Sequence, residues 1–97
     1  MPRIELSPEV LDDFDRILDH LVEHEVADAP ERIAAIVQAV DVLAHSPLIG
    51  RRAEGESREL IIGRDSRGYV ALYRFDPVLD LVLVLGVRSQ REAGYAR

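Results

Sequence analysis

Apolar positions in the first half of the chain recur every three or four residues. In the second half they alternate or run together, so a helical part precedes a stranded part. Arg3-Ile4-Glu5-Leu6 alternates and predicts a short strand with Ile4 and Leu6 on one face. Ser7-Pro8-Glu9 predicts a helix start: the serine oxygen can cap orphan N–H groups, proline has its φ preset, and the acid meets the positive end of the helix dipole. Val10, Leu11, Phe14, Ile17, Leu18, Leu21 and Val22 then form one apolar stripe. Asp28-Ala29-Pro30 restarts the chain by the same logic, and Ile33, Ile36, Val37, Val40 and Leu43 form a second stripe that ends at Ser46-Pro47. Two helices with so short a link predict an antiparallel hairpin.

A polar loop through Gly50, Arg51, Arg52 and Gly55 follows. Arg58 to Ile62, Tyr69 to Phe75 and Leu81 to Val87 then read as strands, separated by turns at Gly63 to Gly68 and at Asp76-Pro77 with Asp80. The predicted order is β-α-α-β-β-β, an α+β fold in which a mainly antiparallel sheet packs against an N-terminal helical hairpin. The polar tail, Ser89 to Arg97, reads as partly mobile.

The strands are apolar on both faces. Tyr69, Ala71, Tyr73 and Phe75 point one way, and Val70 and Leu72 the other; Leu81, Leu83, Leu85 and Val87 oppose Val82 and Val84. A two-helix hairpin covers one face only. The other then needs the tail, a second copy or a partner segment, and a partner is the favoured reading, because large exposed apolar patches mark interaction sites.

The chain has 97 residues, which fits one domain over 1–97, and its 47% apolar and 31% charged residues suit a globular protein. Its longest apolar run, Leu81 to Val87, is far short of the roughly 20 residues that span a bilayer, and no signal-peptide core follows Met1, so a cytoplasmic protein is expected. The absence of cysteine removes disulfides, thiolate nucleophiles and Cys-based zinc sites. A net charge of −6 argues against general nucleic-acid binding. That charge is uneven: residues 1–45 carry three arginines and eleven acids, residues 46–97 nine arginines and seven acids, and lysine is absent.

Among motifs, His20-Leu21-Val22-Glu23-His24 fits H-x-x-E-H, in which two histidines one turn apart grip a metal. Here the histidines only flank the apolar stripe and Glu23 lies nearly opposite it, so a solvated border is the better reading and no metal or cofactor is expected. His45 reads as a helix C-terminal cap. Asp12, Asp13 and Asp15 read as a solvating helix face. The remaining candidates are arginines: Arg51 and Arg52 in the loop, Arg58, Arg64, Arg67 and Arg74 around the sheet, and Arg88 and Arg91 after it. They could stabilise a phosphodiester transition state with Tyr95 moving a proton, bind carboxylates, or simply pair with Glu54, Glu56, Glu59 and Glu92 at the surface.

Taken together, the helical hairpin, Ser46-Pro47-Leu48-Ile49-Gly50-Arg51, Arg58-Glu59-Leu60-Ile61-Ile62-Gly63, Tyr69-Val70-Ala71-Leu72-Tyr73-Arg74 and Val87-Arg88-Ser89-Gln90-Arg91-Glu92-Ala93-Gly94-Tyr95 resemble the RelE/ParE toxins of bacterial type II toxin-antitoxin systems. The resemblance covers nearly the whole chain. It implies a toxin held in a hetero-oligomer by a cognate antitoxin, with Tyr69, Tyr73, Phe75, Val70 and Leu72 as candidate antitoxin contacts. RelE-like members are metal-independent, ribosome-dependent mRNA endonucleases, whereas ParE-like members poison DNA gyrase by protein–protein contact. Where the nucleases carry basic groups this chain has Glu59, Ile61 and Val70, and Ser89 stands where many members carry histidine. Arg88 and Tyr95 match the nuclease C-terminal pair. The expectation is therefore a ParE-like gyrase inhibitor, with Arg51, Arg58, Arg64, Arg74, Arg88, Arg91 and Tyr95 as candidate target contacts. The alternatives are a ribosome-dependent nuclease using Arg88 and Tyr95, or a non-toxic member that only binds antitoxin.

Overall fold

The structure is a computed structural model that describes residues 1–64 and 67–97. The chain runs β1 (Arg3–Leu6), α1 (Pro8–Glu23), α2 (Ala29–Val40), β2 (Arg51–Arg52), β3 (Arg58–Ile62), β4 (Tyr69–Asp76) and β5 (Leu81–Ser89), and a 3-10 turn at Asp41–Ala44 prolongs α2. The sheet order is β1-β5-β4-β3-β2, antiparallel except where β1 lies parallel to β5. The expected α+β order is therefore present with one addition: Arg51 and Arg52, read as loop, pair with Glu59 and Arg58. Of the expected turn at Gly63 to Gly68, Asp65 and Ser66 lie outside the described residues.

Each helix has proline in its first turn, but neither expected side-chain cap forms. Ser7 Oγ instead donates to the Leu85 carbonyl at 3.3 Å, and Asp28 pairs with Arg32 at 3.5 Å. His45 caps with its backbone, donating N–H to the Val42 carbonyl at 3.1 Å. At the end of α1 the Val26 N–H reaches the Leu21 carbonyl at 2.9 Å and the Glu25 N–H reaches Val22 at 3.0 Å. This is a Schellman closure, and it puts Glu25 at φ 56°, where glycine is the usual residue.

The helices cover one face of the sheet. Tyr69, Ala71 and Tyr73 from β4 and Val82, Val84 and Val87 from β5 meet Val10, Ile17 and Leu21 from α1 and Ile36, Val40 and Leu43 beyond it. Each of the larger aliphatic side chains contributes about 1.5–3 kcal/mol by full burial. Leu11 and Val22, expected in the stripe, face solvent, because each lies one residue (100°) past a buried neighbour, Val10 and Leu21.

β5 departs from strict alternation. Its register with β4 slips between Tyr73↔Val84 and Leu72↔Gly86, leaving Leu85 as an extra, unpaired residue. The bulge returns Val87 to the face of Val82 and Val84, correcting the expectation that it joins Leu81, Leu83 and Leu85. It also swings Arg88 to the face away from the helices.

β1 ends at Leu6, so beyond Val84 one edge of β5 has no strand beside it. Side chains complete it. The Val87 N–H donates to Asp13 Oδ2 at 2.9 Å, Arg16 Nη2 donates to the Val87 carbonyl at 3.3 Å, and Arg97 Nη2 joins Ser7 on the Leu85 carbonyl at 2.7 Å. Asp13 also faces Arg16 at 3.4 Å and Arg97 at 3.3 Å. It is only 2% exposed, so it is a buried structural acid and not the solvating group expected, unlike Asp12 and Asp15, which are exposed. The tail, expected to be partly mobile, is anchored here.

Asp13→Ala leaves the Val87 amide and Arg16 without their buried acceptor and is expected to cost about 2–4 kcal/mol, measured by urea unfolding. Glu25→Gly relieves the left-handed backbone and is expected to stabilise by up to about 1 kcal/mol in the same assay.

Candidate functional site

The face away from the helices is neither bare nor uniformly apolar. Register places Arg51, Glu59, Leu72 and Gly86 in one row across β2, β3, β4 and β5, with Ile61, Val70 and Arg88 in the next. Gly86 has no side chain, and the Tyr95 ring fills the space above it: a Cβ there would lie 3.0 Å from Tyr95 Cδ1 and would run into Arg97. From that seat the Tyr95 hydroxyl reaches over Leu72 and donates to Glu59 Oε2 at 2.7 Å. The tail thus seals part of the surface expected to await a partner. Val70 is 2% exposed, Leu72, Leu83 and Leu85 are half-buried, and Ile61 is 42% exposed.

Glu59 is the hub of this face. Arg51 donates to Oε1 through Nε at 3.1 Å and Nη2 at 2.9 Å, and Arg88 Nη2 lies 3.9 Å from Oε2. The Glu59 and Arg88 side chains are each 15% exposed, and the Arg88 guanidinium stacks 5.3 Å from the Tyr95 ring centre. Arg88 is braced by donating to the carbonyls of Ser89 at 3.2 Å and Glu92 at 3.0 Å.

The electrostatics follow from this packing. Burial pushes the Glu59 carboxyl up, but the Tyr95 hydroxyl, the Arg51 hydrogen bond and charge, and the Arg88 charge together hold it below its ordinary value. Burial first, then the hydrogen bond to Glu59 and that group's charge, raise the Tyr95 phenol well above the ordinary tyrosine range, against a smaller opposing pull from Arg88. The cluster therefore holds an ionised carboxylate, two guanidinium groups and a phenol that keeps its proton. Such a phenol is a poor proton donor and is seldom present as the phenolate a general base requires, and the two cations share a single carboxylate.

The other candidates are dispersed. Arg58 donates to the Leu48 and Gly50 carbonyls at 3.2 and 2.9 Å and so pins the loop before β2. Arg74 pairs with Glu56 at 3.2 Å, and Arg64 and Arg91 are exposed away from the cluster. The surface-pairing alternative thus holds for Glu56 and Glu59, while Glu92 pairs with Arg16. Of the candidate antitoxin contacts, Tyr73 is completely buried under the helices, where its hydroxyl accepts the Gly50 N–H at 2.9 Å, and Tyr69 is nearly so. With Val70 also sealed, only Leu72 and Phe75 retain partial exposure. The sequence marks Glu59 as one of four acids able to pair with these arginines, but nothing in it singles Glu59 out as the hub. Gly86 inside an apolar strand did signal a close approach.

A second feature is a cleft of about 650 Å³ between the C-terminal half of α1, the start of α2 and the end of β5. Ile17, Leu21, Val26 and Tyr69 contribute its apolar lining, and Arg16, His20, His24, Arg32, Arg67, Ser89, Arg91 and Glu92 its polar lining, which is mainly basic. The two histidines of the H-x-x-E-H segment stack with centres 4.2 Å apart, and His24 Nδ1 bonds the His20 carbonyl at 2.9 Å. Among the described residues no group of three or more His, Cys, Asp or Glu side chains is placed to hold a metal.

Residues 4–94 match the profile described as "ParE toxin of type II toxin-antitoxin system, parDE". The chain belongs to the ParE toxin family. It is 29% identical to Toxin RelE3 of Caulobacter vibrioides over 92 residues, covering 95% of this chain and 98% of that protein. Its fold matches the chromosomal ParDE toxin-antitoxin system of P. aeruginosa with a TM-score of 0.74 at 22% identity, covering 92% of this chain and 96% of that one. It also matches the intact E. coli RelBE complex with a TM-score of 0.63 at 15% identity, covering 95% and 100%. The resemblance to RelE/ParE toxins and the expected fold class both stand. No helix among the described residues is long and apolar enough to cross a membrane.

Because the folded Glu59 carboxyl titrates below its unfolded value, it adds stability that is complete above about pH 4.5 and is lost as pH falls through the lowered folded value. Glu59→Gln should therefore unfold at lower urea than the native protein at pH 7, with the gap closing towards pH 3; urea midpoints across that range test this.

Proposed function

We propose that this ParE-family toxin acts in the cytoplasm as a single domain that inhibits DNA gyrase by protein–protein contact, and that a cognate antitoxin neutralises it. The observation that carries the choice over nuclease chemistry is the Glu59 carboxylate, which accepts the Tyr95 hydroxyl, pairs with Arg51 and faces Arg88 at 3.9 Å, so that it cancels one of the two positive charges beside the phenol. A metal-independent ribonuclease needs uncompensated cations around a developing phosphorane and a group able to move a proton. Here a carboxylate stands among the cations and cancels one of their two charges, and the phenol is reluctant to ionise. The net charge of −6 adds long-range repulsion towards RNA.

For the antitoxin, the cleft beside α1 is the better-suited surface. Its apolar lining and basic rim fit an amphipathic segment bearing acids, and Tyr69 lines it. Gyrase contact falls to the exposed arginines, Arg51, Arg64, Arg74 and Arg91, as candidates.

Micromolar protein should inhibit supercoiling by purified gyrase or trap its cleaved-DNA complex, and primer extension on translated mRNA should show no new codon-positioned cuts. Codon-positioned cuts abolished by Tyr95→Phe, with gyrase unaffected, would replace this reading with the nuclease one.

A further inference from the structure

The sheet has two outer edges, and they differ. β2 offers two residues, both arginine, so a second copy laid against it would set arginine on arginine. β1 is the other edge. The Arg3 and Ser7 N–H groups donate inward to the Asp80 and Val84 carbonyls, each at 2.9 Å. By the alternation of a strand, the N–H and carbonyl groups of Ile4 and Leu6 therefore point outward, and among the described residues no strand or side chain takes them. Ile4 pairs with Val82 and packs on the core beneath the helices, so Arg3 and Glu5 project from the opposite face, 65% and 54% exposed.

This edge is complementary to itself. When two β1 strands pair antiparallel, the outward groups require Ile4 and Leu6 to take the hydrogen-bonded positions, which leaves Arg3 and Glu5 in the non-hydrogen-bonded ones, where side chains lie closest. With Ile4 opposite its own copy, two N–H···O bonds are exchanged about the two-fold axis, each Leu6 N–H meets the copy's Pro2 carbonyl, and Arg3 faces Glu5 twice. Sliding the pair by one hydrogen-bonded step sets Glu5 on Glu5 or Arg3 on Arg3, which is repulsive. Charge and hydrogen-bond phase thus select a single register, and Pro2, which has no N–H, ends the ladder.

We infer that β1 docks on β1 of a second copy in this register, joining two five-stranded sheets into one and closing a symmetric dimer. Because β2 does not offer a matching contact, assembly stops at two. So short an edge buries less than the roughly 1,200 Å² of a standard interface, and the dimer is correspondingly weak and concentration-dependent. It requires neither gyrase nor antitoxin.

Sedimentation velocity from micromolar to millimolar protein should show a monomer–dimer equilibrium. Glu5→Arg opposes Arg3 to a second arginine at both symmetric pairs and should weaken the dimer about tenfold, whereas Arg3→Glu/Glu5→Arg restores both pairs with their signs exchanged and should recover it. In a chain without cysteine, Ile4→Cys places two thiols across the axis at a Cα separation of about 5.5 Å, within disulfide reach, and should crosslink under mild oxidation faster than Glu5→Cys. A protein that stays monomeric at millimolar concentration, a dimer indifferent to Glu5→Arg, a charge exchange that fails to recover it, or faster crosslinking through Glu5→Cys overturns the inference. Circular dichroism checks that each variant is folded, and the charge variants, which alter only exposed side chains, test the register should Ile4→Cys disturb the core.

Discussion

One extra residue in β5, held in place by one buried carboxylate, organises most of this protein. The bulge at Leu85 breaks the ladder where β1 has already ended, leaving strand amides and carbonyls that a fold cannot bury unpaired. Asp13 answers the Val87 amide from within α1, and Arg16, Ser7 and Arg97 answer the carbonyls. A helix, the first strand's exit and the tail are thereby fastened to the same few atoms.

The consequences run to the opposite surface. Had β5 alternated without interruption, Arg88 would sit under the helices with Val82 and Val84. The bulge sends it to the other side, where Gly86 leaves room for Tyr95 and where Glu59 waits two strands away. The resemblance to RelE/ParE toxins implies two different modes of action, and the local chemistry bears on the choice proposed between them. Its arginine and tyrosine are present and close together, yet burial and the Glu59 carboxylate keep the phenol protonated, and the same carboxylate lies beside the arginine. Presence of residues and availability of residues are separate matters.

The fold was largely legible before any coordinates. The stripe from Val10 to Leu21 and the runs Arg58–Ile62, Tyr69–Phe75 and Leu81–Val87 correspond to α1, β3, β4 and β5, because helix and strand periodicities are local properties that a single chain displays directly. The expected Ser7 cap is absent for a tertiary reason: the hydroxyl turns to an unpaired carbonyl on the neighbouring strand. Asp13 departs from expectation likewise, since an acid between Asp12 and Phe14 looks solvated until the strand it serves is placed against it.

The sequence alone determined every element but β2, their order, the family and the concentration of arginine in the second half, since all of these depend on residue type and near-neighbour spacing. Tertiary structure decided which acid meets which arginine. Arg51 and Glu59 are eight residues apart, Glu59 and Tyr95 thirty-six, and both meetings depend on strand register and on a single-residue bulge. Register has a period of two, so a slip of one residue reverses every side chain beyond it. No pattern of hydrophobicity reveals that slip, and with it the faces of Val87 and Arg88 are set only when the strands pair.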